Sequence, residues 1–481
     1  MMNKVFAAVL LATALAAIEG TIVSTAIPSI TTDLSGVDLI SWIYSAYLLT
    51  SAISAIIFGK LADLFGRKKM IIAGICIFLI GSLLCGMATS MELLIIFRAI
   101  QGIGAGSILP ITLTIVGELF DSEKQRAKGQ GYISMVWGVS GVVGPLIGGF
   151  IVDQLTWHFI FLLNIPFGLG AILLIAKHYK EDRIKLTRKI DFAGAFLFSI
   201  GMVALLYSLI AGSNTQHWAT TTQIIFYIIA IVFLGLFVFV EKKASEPIIP
   251  LSLFKNKRLN VINGLTLFCM AVVISISVYL PIYAQSVLGK NATEAGLMLT
   301  PISVMWTVGA IISGNLVGRF ANKTIIQIGT VLLLISTFML MFLSSSTSSL
   351  FVYLSTSFLG LGMGLIAPMI VLTVQASSSD EQLGTAIGLN SFINTFSQSI
   401  GAAIFGVLFN ITTSGRLSLL GAEHINLNGS FDHSIFSQQQ ISKIIEIIAD
   451  GIRSVYTGSF IFAICALILA IFVTKRKSQV K

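Results

Sequence analysis

Apolar runs of about twenty residues, parted by short polar segments, recur along the whole chain. A helix of about 20 residues, rising about 1.5 Å each, crosses the ~30 Å hydrocarbon core of a bilayer. Fourteen runs reach that length: 5–28, 40–59, 70–88, 93–116, 129–152, 159–177, 191–211, 222–240, 261–284, 297–318, 325–343, 349–375, 384–410 and 455–474. The first follows Lys4 in the manner of a secretory leader, but it continues past Glu19 to Pro28, longer than a leader's apolar region, so it is expected to be retained as a span. The pattern predicts an all-α integral membrane protein.

Composition narrows this further. Only 11% of the 481 residues are charged, 56% are hydrophobic, and the mean hydropathy is +0.93. A soluble domain carries about 25% charged residues, so a soluble enzyme, a disordered chain and a nucleic-acid binder are excluded in spite of the net charge of +9. Cys76, Cys85, Cys269 and Cys465 all sit inside apolar runs and the five histidines are scattered, so no disulfide framework and no metal or other cofactor is expected. No G-x-x-x-x-G-K-[ST] loop is present, which argues against ATP as the energy source, and no catalytic constellation is visible.

The cations set the orientation. With the N-terminus inside, 25 of the 30 Lys and Arg fall in inner segments: Lys4; Lys60, Arg67, Lys68 and Lys69; Lys124, Arg126 and Lys128; Lys177 to Lys189; Lys242 to Arg258; Arg319 and Lys323; and the C-terminal group ending at Lys481. Lys290, Arg416, Lys443 and Arg453 fall outside, and Arg98 lies within a span. Positive residues gather on the cytoplasmic side, so both termini are expected there, beside anionic lipid, in a multi-pass protein of the plasma membrane.

An internal repeat divides the chain. Span 4 reads Gly102-Ile-Gly104-Ala-Gly106-Ser-Ile-Leu-Pro110 and span 12 reads Gly360-Leu-Gly362-Met-Gly364-Leu-Ile-Ala-Pro368, offset by 258 residues. At an offset of 255, Gly59-Lys-Leu61 after span 2 answers Gly314-Asn-Leu316 after span 10. The expected architecture is two six-helix bundles, 1–180 and 259–481, with two inserted helices in 181–258. Repeats of this kind build secondary transporters, whose substrate site lies between the repeats near the midplane.

Several polar positions stand out against this background. Asp63, in Gly59-Lys-Leu-Ala-Asp63-Leu-Phe-Gly66-Arg67, is an acid where the inner loop calls only for cations. It is expected to meet the positive N-terminal end of span 13 near Gly384 and latch an inner gate; a solvated turn is the alternative. Span 5 carries Gly138, Gly141, Gly144, Pro145, Gly148 and Gly149, a small-residue face for close helix packing with a proline kink, expected to act as a hinge. Glu19 is the only acid well inside any span and Arg98 the only deep base. Glu19 lies about 22 Å above the inner end of its run and Arg98 about 9 Å below the outer end of its own, so in a ~30 Å core their depths coincide. Buried charges mark a function or a partner. Either Glu19 is a carboxylate used in turn by a proton and a substrate, or Glu19 and Arg98 form a permanent pair. Gln101, one turn from Arg98, and Thr21 are natural neighbours. Tyr47, Trp137, Tyr279, Tyr283, Trp306, Asn390, Asn394 and Phe396 are candidates for lining a cavity suited to lipophiles. In the long outer loop 411–454, Ile441, Ile444, Ile445, Ile448 and Ile452 share one helical face, predicting an amphipathic helix over 435–452 that lies on the membrane or caps the outer vestibule.

Taken together, the motifs resemble the fourteen-span drug/proton antiporter branch of the major facilitator superfamily along the whole chain. Residues 18–28 resemble its first-span motif, 59–69 its inter-span signature, Arg98-x-x-Gln101-Gly102 its fourth-span motif, Gly144-Pro145-x-x-Gly148-Gly149 its antiporter signature, and Trp157-x-x-x-Phe161-x-x-Asn164-x-Pro166 the start of its sixth span. The resemblance implies alternating access, proton import coupled to drug export, and peripheral spans 7 and 8. Two features depart from it: the first-span acid, usually Asp, is Glu19, and no acid lies deep in the second half, which implies monovalent or neutral lipophilic substrates. The expected function is a proton-coupled exporter of lipophilic, cationic or neutral drugs, with small lipophiles, protons and lipid as its partners and no obligate protein partner. The alternatives are a dedicated carrier of one metabolite and a non-transporting membrane receptor.

Overall fold

The computed structural model describes residues 4–34, 39–181, 191–215, 220–244, 246–290, 292–344, 346–379, 381–420 and 437–473. The expected inner cations at Arg183, Lys185, Arg188, Lys189 and from Lys475 onward, and the middle of the outer loop, lie outside the described residues. Among those described, fourteen helical segments are long and apolar enough to cross a membrane. In chain order the helices are α1 (Lys4–Leu34), α2 (Ile40–Phe65), α3 (Arg67–Cys85), α4 (Met91–Leu119), α5 (Glu123–Gln154), α6 (His158–Leu162), α7 (Asn164–His178), α8 (Phe192–Thr215) and α9 (Thr221–Glu241). They continue with α10 (Lys257–Ile282), prolonged by a π-turn at Tyr283–Val287, then α11 (Ala292–Leu297), α12 (Thr300–Leu316), α13 (Asn322–Leu340), α14 (Ser349–Ser377), α15 (Leu383–Ser418) and α16 (Gln438–Phe472). The short α6 and α7 together make the sixth span, which restarts at Asn164 just ahead of Pro166, a residue with no N–H to give to the preceding turn.

The chain forms two compact units. The first holds Met1–Ser208, Thr220–Asn260 and Ile370–Thr395, and the second Leu209–Ala219, Val261–Met369 and Phe396–Lys481.

The repeated glycine motif has the same packing in both units. In the first, a Cβ on Gly102 or Gly106 would strike the α2 backbone at the carbonyls of Tyr47 and Ser51, while one on Gly104 would lie 2.6 Å from Gly74 O and from Phe78 Cα of α3. Helix α4 is therefore wedged between α2 and α3, with glycines facing each. In the second unit, Gly360 and Gly364 meet the carbonyls of Ile302 and Trp306 on α12, while a Cβ on Gly362 would lie 2.7 Å from Gly329 O on α13. Three glycines at alternate positions serve two neighbours because four residues return to one helix face and two reach the other.

One expectation needs correction. The segment at 435–452 is not a separate helix on the membrane surface; from Gln438 it is the first half of α16, continuous with the last span. At about 1.5 Å per residue its 35 residues reach about 52 Å, well beyond the hydrocarbon core. Ser437 and Gln440 form a capping box at its start. Nothing breaks the helix, since Gly451 and Gly458 are where Phe409 and Leu408 of α15 press against it, with Cβ positions 2.8 and 2.6 Å from those side chains. Its buried face is Ile444, Ile447, Ile448, Ile452 and Val455, turned onto protein; Ile441 and Ile445 are half-buried. Arg416 and Asp450 bridge the two helices at 2.8 Å.

Candidate functional site: a buried charge network and a helix-end latch

Glu19 of α1 and Arg98 of α4 meet in the first unit, 0% and 1% exposed. Arg98 Nη1 donates to Glu19 Oε1 and, at 2.7 Å, to Gln101 Oε1. Its Nε donates to the Ile43 carbonyl at 3.1 Å, in the first turn of α2. Asn164, the first residue of α7, donates from Nδ2 to Glu19 Oε2 at 2.6 Å and to Ser82 Oγ at 2.8 Å. Gln101 Nε2 also donates to Ser82 Oγ at 3.0 Å, and Ser82 Oγ donates to the Phe161 carbonyl at 2.9 Å. The Tyr47 ring covers the guanidinium, 4.2 Å from centroid to Cζ. Five helices thus converge on one ion pair in which both carboxylate oxygens are hydrogen-bonded.

Such a network has a physical consequence. Each ion gives up its hydration, and their attraction in a dry interior repays this only when geometry and further hydrogen bonds are good. Removing either partner leaves a bare buried charge, which costs about 3–5 kcal/mol. Adding a proton to Glu19 does the same to Arg98 without any mutation.

Asp63, near the end of α2, lies at the start of α15. Its Oδ1 accepts from Gly384 N at 2.9 Å, and its Oδ2 accepts from Thr385 N at 2.6 Å and Thr385 Oγ1 at 2.7 Å. Free backbone N–H groups and the helix dipole make an N-terminus a ready partner for an anion. The helices approach closely because Gly59, Gly384 and Gly388 face one another; a Cβ on Gly59 would lie 3.1 Å from the Gly388 Cα. Gly66 has φ +96, a conformation that favours glycine, and turns the chain into α3. Arg67 reaches Glu118 at 2.8 Å and Asp63 at 3.5 Å. Glu181 accepts from Arg67 N at 2.8 Å and Lys68 N at 3.2 Å, capping α3. Tyr179 donates to Glu118 at 3.2 Å.

In span 5, Gly144 and Gly148 lie against α1. A Cβ on Gly144 would touch Thr21 Oγ1, and one on Gly148 would lie 2.8 Å from Ile22 Cγ1, whereas Gly149 faces open space. Thr21 Oγ1 donates to the Ser140 carbonyl at 3.0 Å. Pro145 is accommodated within α5, which does not end there.

The cavity-lining candidates separate. Tyr47 belongs to the charge network rather than to an open wall. Tyr283 is fully buried and donates to the Ser344 carbonyl at 2.7 Å, and Tyr279 packs on Phe409 at 5.4 Å, so both are core positions of the second unit. Trp137 is 40% exposed. Asn390 is buried, while Trp306, Asn394 and Phe396 are half-buried.

Ser82 went unsingled in the sequence because intramembrane Ser and Thr commonly bond their own helix, as Thr13 does to the Val9 carbonyl at 2.9 Å. Asn164 was visible only as part of a motif. An amide inside an apolar run, at a depth matching Glu19, was the available signal. Glu118 and Glu181 were not singled out, since acids just outside the apolar runs carry no signal of their own.

A chain whose described residues form fourteen helical segments long and apolar enough to cross a membrane, with a repeated helix-packing motif and a buried charge pair, is a multi-pass membrane transporter in its construction. Comparison with known proteins agrees. Residues 9–402 match the Major Facilitator Superfamily. The chain is 36% identical over 402 residues to the multidrug transporter protein MdtP of Bacillus subtilis (strain 168), covering 84% of this chain and 74% of that one. It is 33% identical over 472 residues to multidrug resistance protein 3 of the same organism, covering 96% and 92%. The human organic anion transporter MFSD10 (TETRAN) shares the fold at 13% identity, with a TM-score of 0.66 over 97% of this chain and 99% of that one. The chain belongs to the major facilitator superfamily, whose members carry small substrates across membranes and are not enzymes.

Proposed function

We propose that this protein is a proton-coupled antiporter that exports lipophilic, cationic or neutral drugs across the plasma membrane, with both termini in the cytoplasm. The relatives named as multidrug transporters support the drug-export part of this reading. The observation that carries the coupling is the ion pair of Glu19 and Arg98, sealed from solvent and held by Gln101, Ser82 and Asn164.

In this reading the cycle starts with Glu19 ionised and Arg98 as its counter-ion. A proton entering from the outside neutralises Glu19, breaks the pair and favours a conformation in which the carboxyl meets the inner side. There it releases its proton, and a substrate or Arg98 takes its place beside the carboxylate. Asp63, on the N–H groups of Gly384 and Thr385, latches the inner side while the protein is open outward and lets go when it opens inward, and the Gly144–Gly148 face gives α5 a smooth surface against α1. At about 2.3 kcal/mol per charge per 100 mV, one inward proton sustains a roughly fiftyfold ratio of a neutral substrate at 100 mV, whereas a monovalent cation exchanged one for one moves no net charge and is driven by the pH difference alone.

Everted vesicles carrying the protein, loaded with a lipophilic fluorescent dye, test the reading. Dye movement should collapse when an uncoupler is added and be absent with Glu19→Gln at equal expression. Uncoupler-resistant transport, or full transport by Glu19→Gln, rejects the proposal.

A further inference from the structure

Away from both sites, two acids lie close together with no cation between them among the described residues. Asp191 lies just before α8 and Glu241 ends α9, at the two ends of the inserted helix pair. Glu241 is 3% exposed. Each carboxyl spends one oxygen on a backbone donor: Asp191 Oδ1 accepts from Gly194 N at 2.8 Å, and Glu241 Oε1 accepts from Ile249 N at 2.5 Å. The other oxygens, Asp191 Oδ2 and Glu241 Oε2, are both buried, and neither has a donor among the described residues. They converge on one point. A Cβ built on Gly194 would lie 2.9 Å from Glu241 Oε2 and closer still to Asp191 Oδ2, so both oxygens border the same small space.

Two ionised carboxylates cannot keep that arrangement, because like charges at contact in a dry setting repel strongly. No cation among the described residues relieves them. Lys60 of α2 is engaged by Glu246 at 3.0 Å. Lys242 is exposed and Lys243 lies over the Phe239 ring at 4.2 Å. The residues of the following linker that close over Glu241, namely Ile248, Ile249 and Pro250, are uncharged and buried. Among the described residues no third metal-ligating side chain joins the two acids, so a site for a dehydrated metal ion is not built here.

We propose that Asp191 and Glu241 share a single proton, forming a second proton-binding site that is separate from Glu19. The proton sits between Oδ2 and Oε2, so that one carboxyl donates and the other accepts. It leaves to bulk water as a hydron, with no other bond made or broken. What it holds is definite. The pair joins the start of α8, the end of α9 and the linker at Ile249, and the same linker is tied through Glu246 to Lys60, next to Gly59 and three residues before Asp63. Loss of the proton drives the carboxylates apart and frees the linker from the segment that carries the latch.

The test uses the full-length purified protein. A folded state that binds a proton the unfolded state lacks is stabilised at low pH and loses that stability as pH rises through the pair's titration, by about tenfold in the unfolding equilibrium per pH unit. Glu241→Gln keeps both hydrogen bonds without a proton, since its amide oxygen accepts from Ile249 and its NH2 donates to Asp191. The expected result is that this variant, and Asp191→Asn as a second, remove the one-proton slope and also remove a protonated-carboxyl C=O band from the infrared spectrum, while Glu19→Gln leaves that band and slope in place. Gly194→Ala, which pushes a methyl between the oxygens, should abolish the band too. An unchanged slope and spectrum in both neutralised variants overturns the inference. So does a wild-type protein that lacks the band and gains stability on addition of Mg2+ or Na+, which would put a cation in the gap.

Discussion

Neutralising Glu19 alone, and then together with Arg98, separates an ion pair that merely holds helices from one that works. In Glu19→Gln, the new amide oxygen still accepts from Arg98 Nη1, but the new NH2 confronts Asn164 Nδ2. Asn164 must turn its amide, which breaks its 2.8 Å bond to Ser82. The guanidinium, 1% exposed, loses its counter-charge. The expected destabilisation is about 3–5 kcal/mol, and the same holds for Arg98→Met with Glu19 intact. In the double variant no charge remains. The Ile43 carbonyl retains its helical partner, and replacing a buried pair by groups of similar volume is often close to neutral. The double variant is therefore expected to be more stable than either single one, a coupling energy of several kcal/mol opposite to additivity. Denaturant unfolding in detergent supplies the stabilities, and dye uptake into everted vesicles, where the cytoplasmic face is outside, supplies the function. Efflux should be lost in all three variants although the double one is well folded. Additive losses would refute the pairing argument; efflux restored along with stability would show that the pair is only structural.

Three further outcomes follow from the packing. Asp63→Asn removes a charge that accepts three hydrogen bonds from the start of α15, each worth about 1.5–3 kcal/mol. Dye efflux should fall by at least tenfold while equilibrium dye binding, measured by fluorescence quenching, changes little; equal loss of both counts against a latch. Gly144→Ala and Gly148→Ala each force a methyl into α1 and should cost about 1–3 kcal/mol as well as transport, whereas Gly149→Ala, which meets nothing within 4 Å, should match wild type in a thermal melt. Tyr283→Phe loses one bond to the Ser344 carbonyl and should cost about 1 kcal/mol without altering which dyes are carried; a changed substrate profile would return Tyr283 to the cavity wall.

Much of this molecule was readable before any coordinate. The spans announce themselves because a bilayer admits only long apolar helices. Glu19, Arg98 and Asp63 stand out for the same reason, since charge among apolar residues is rare enough to notice. Gln101 followed from its spacing to Arg98. What stayed hidden were partners whose residue type carries no signal: Ser82 among many intramembrane hydroxyls, the Ile43 carbonyl, and Glu181 capping α3 from far along the chain. Tyr47 was noticed as a candidate for a cavity wall, but its place over the Arg98 guanidinium was not legible, because an aromatic ring packs equally well on either. The continuity of α16 was missed because its hydropathy drops before Ser454 while its helical pattern does not.

Proton movement observed together with substrate movement is the most direct trial of the account. Purified protein in liposomes, with a pH-sensitive dye inside and no imposed pH difference, should respond to an added substrate gradient by moving protons opposite to the substrate, and Glu19→Gln should move neither. Substrate crossing with no proton signal, or a proton signal undiminished in Glu19→Gln, would contradict it.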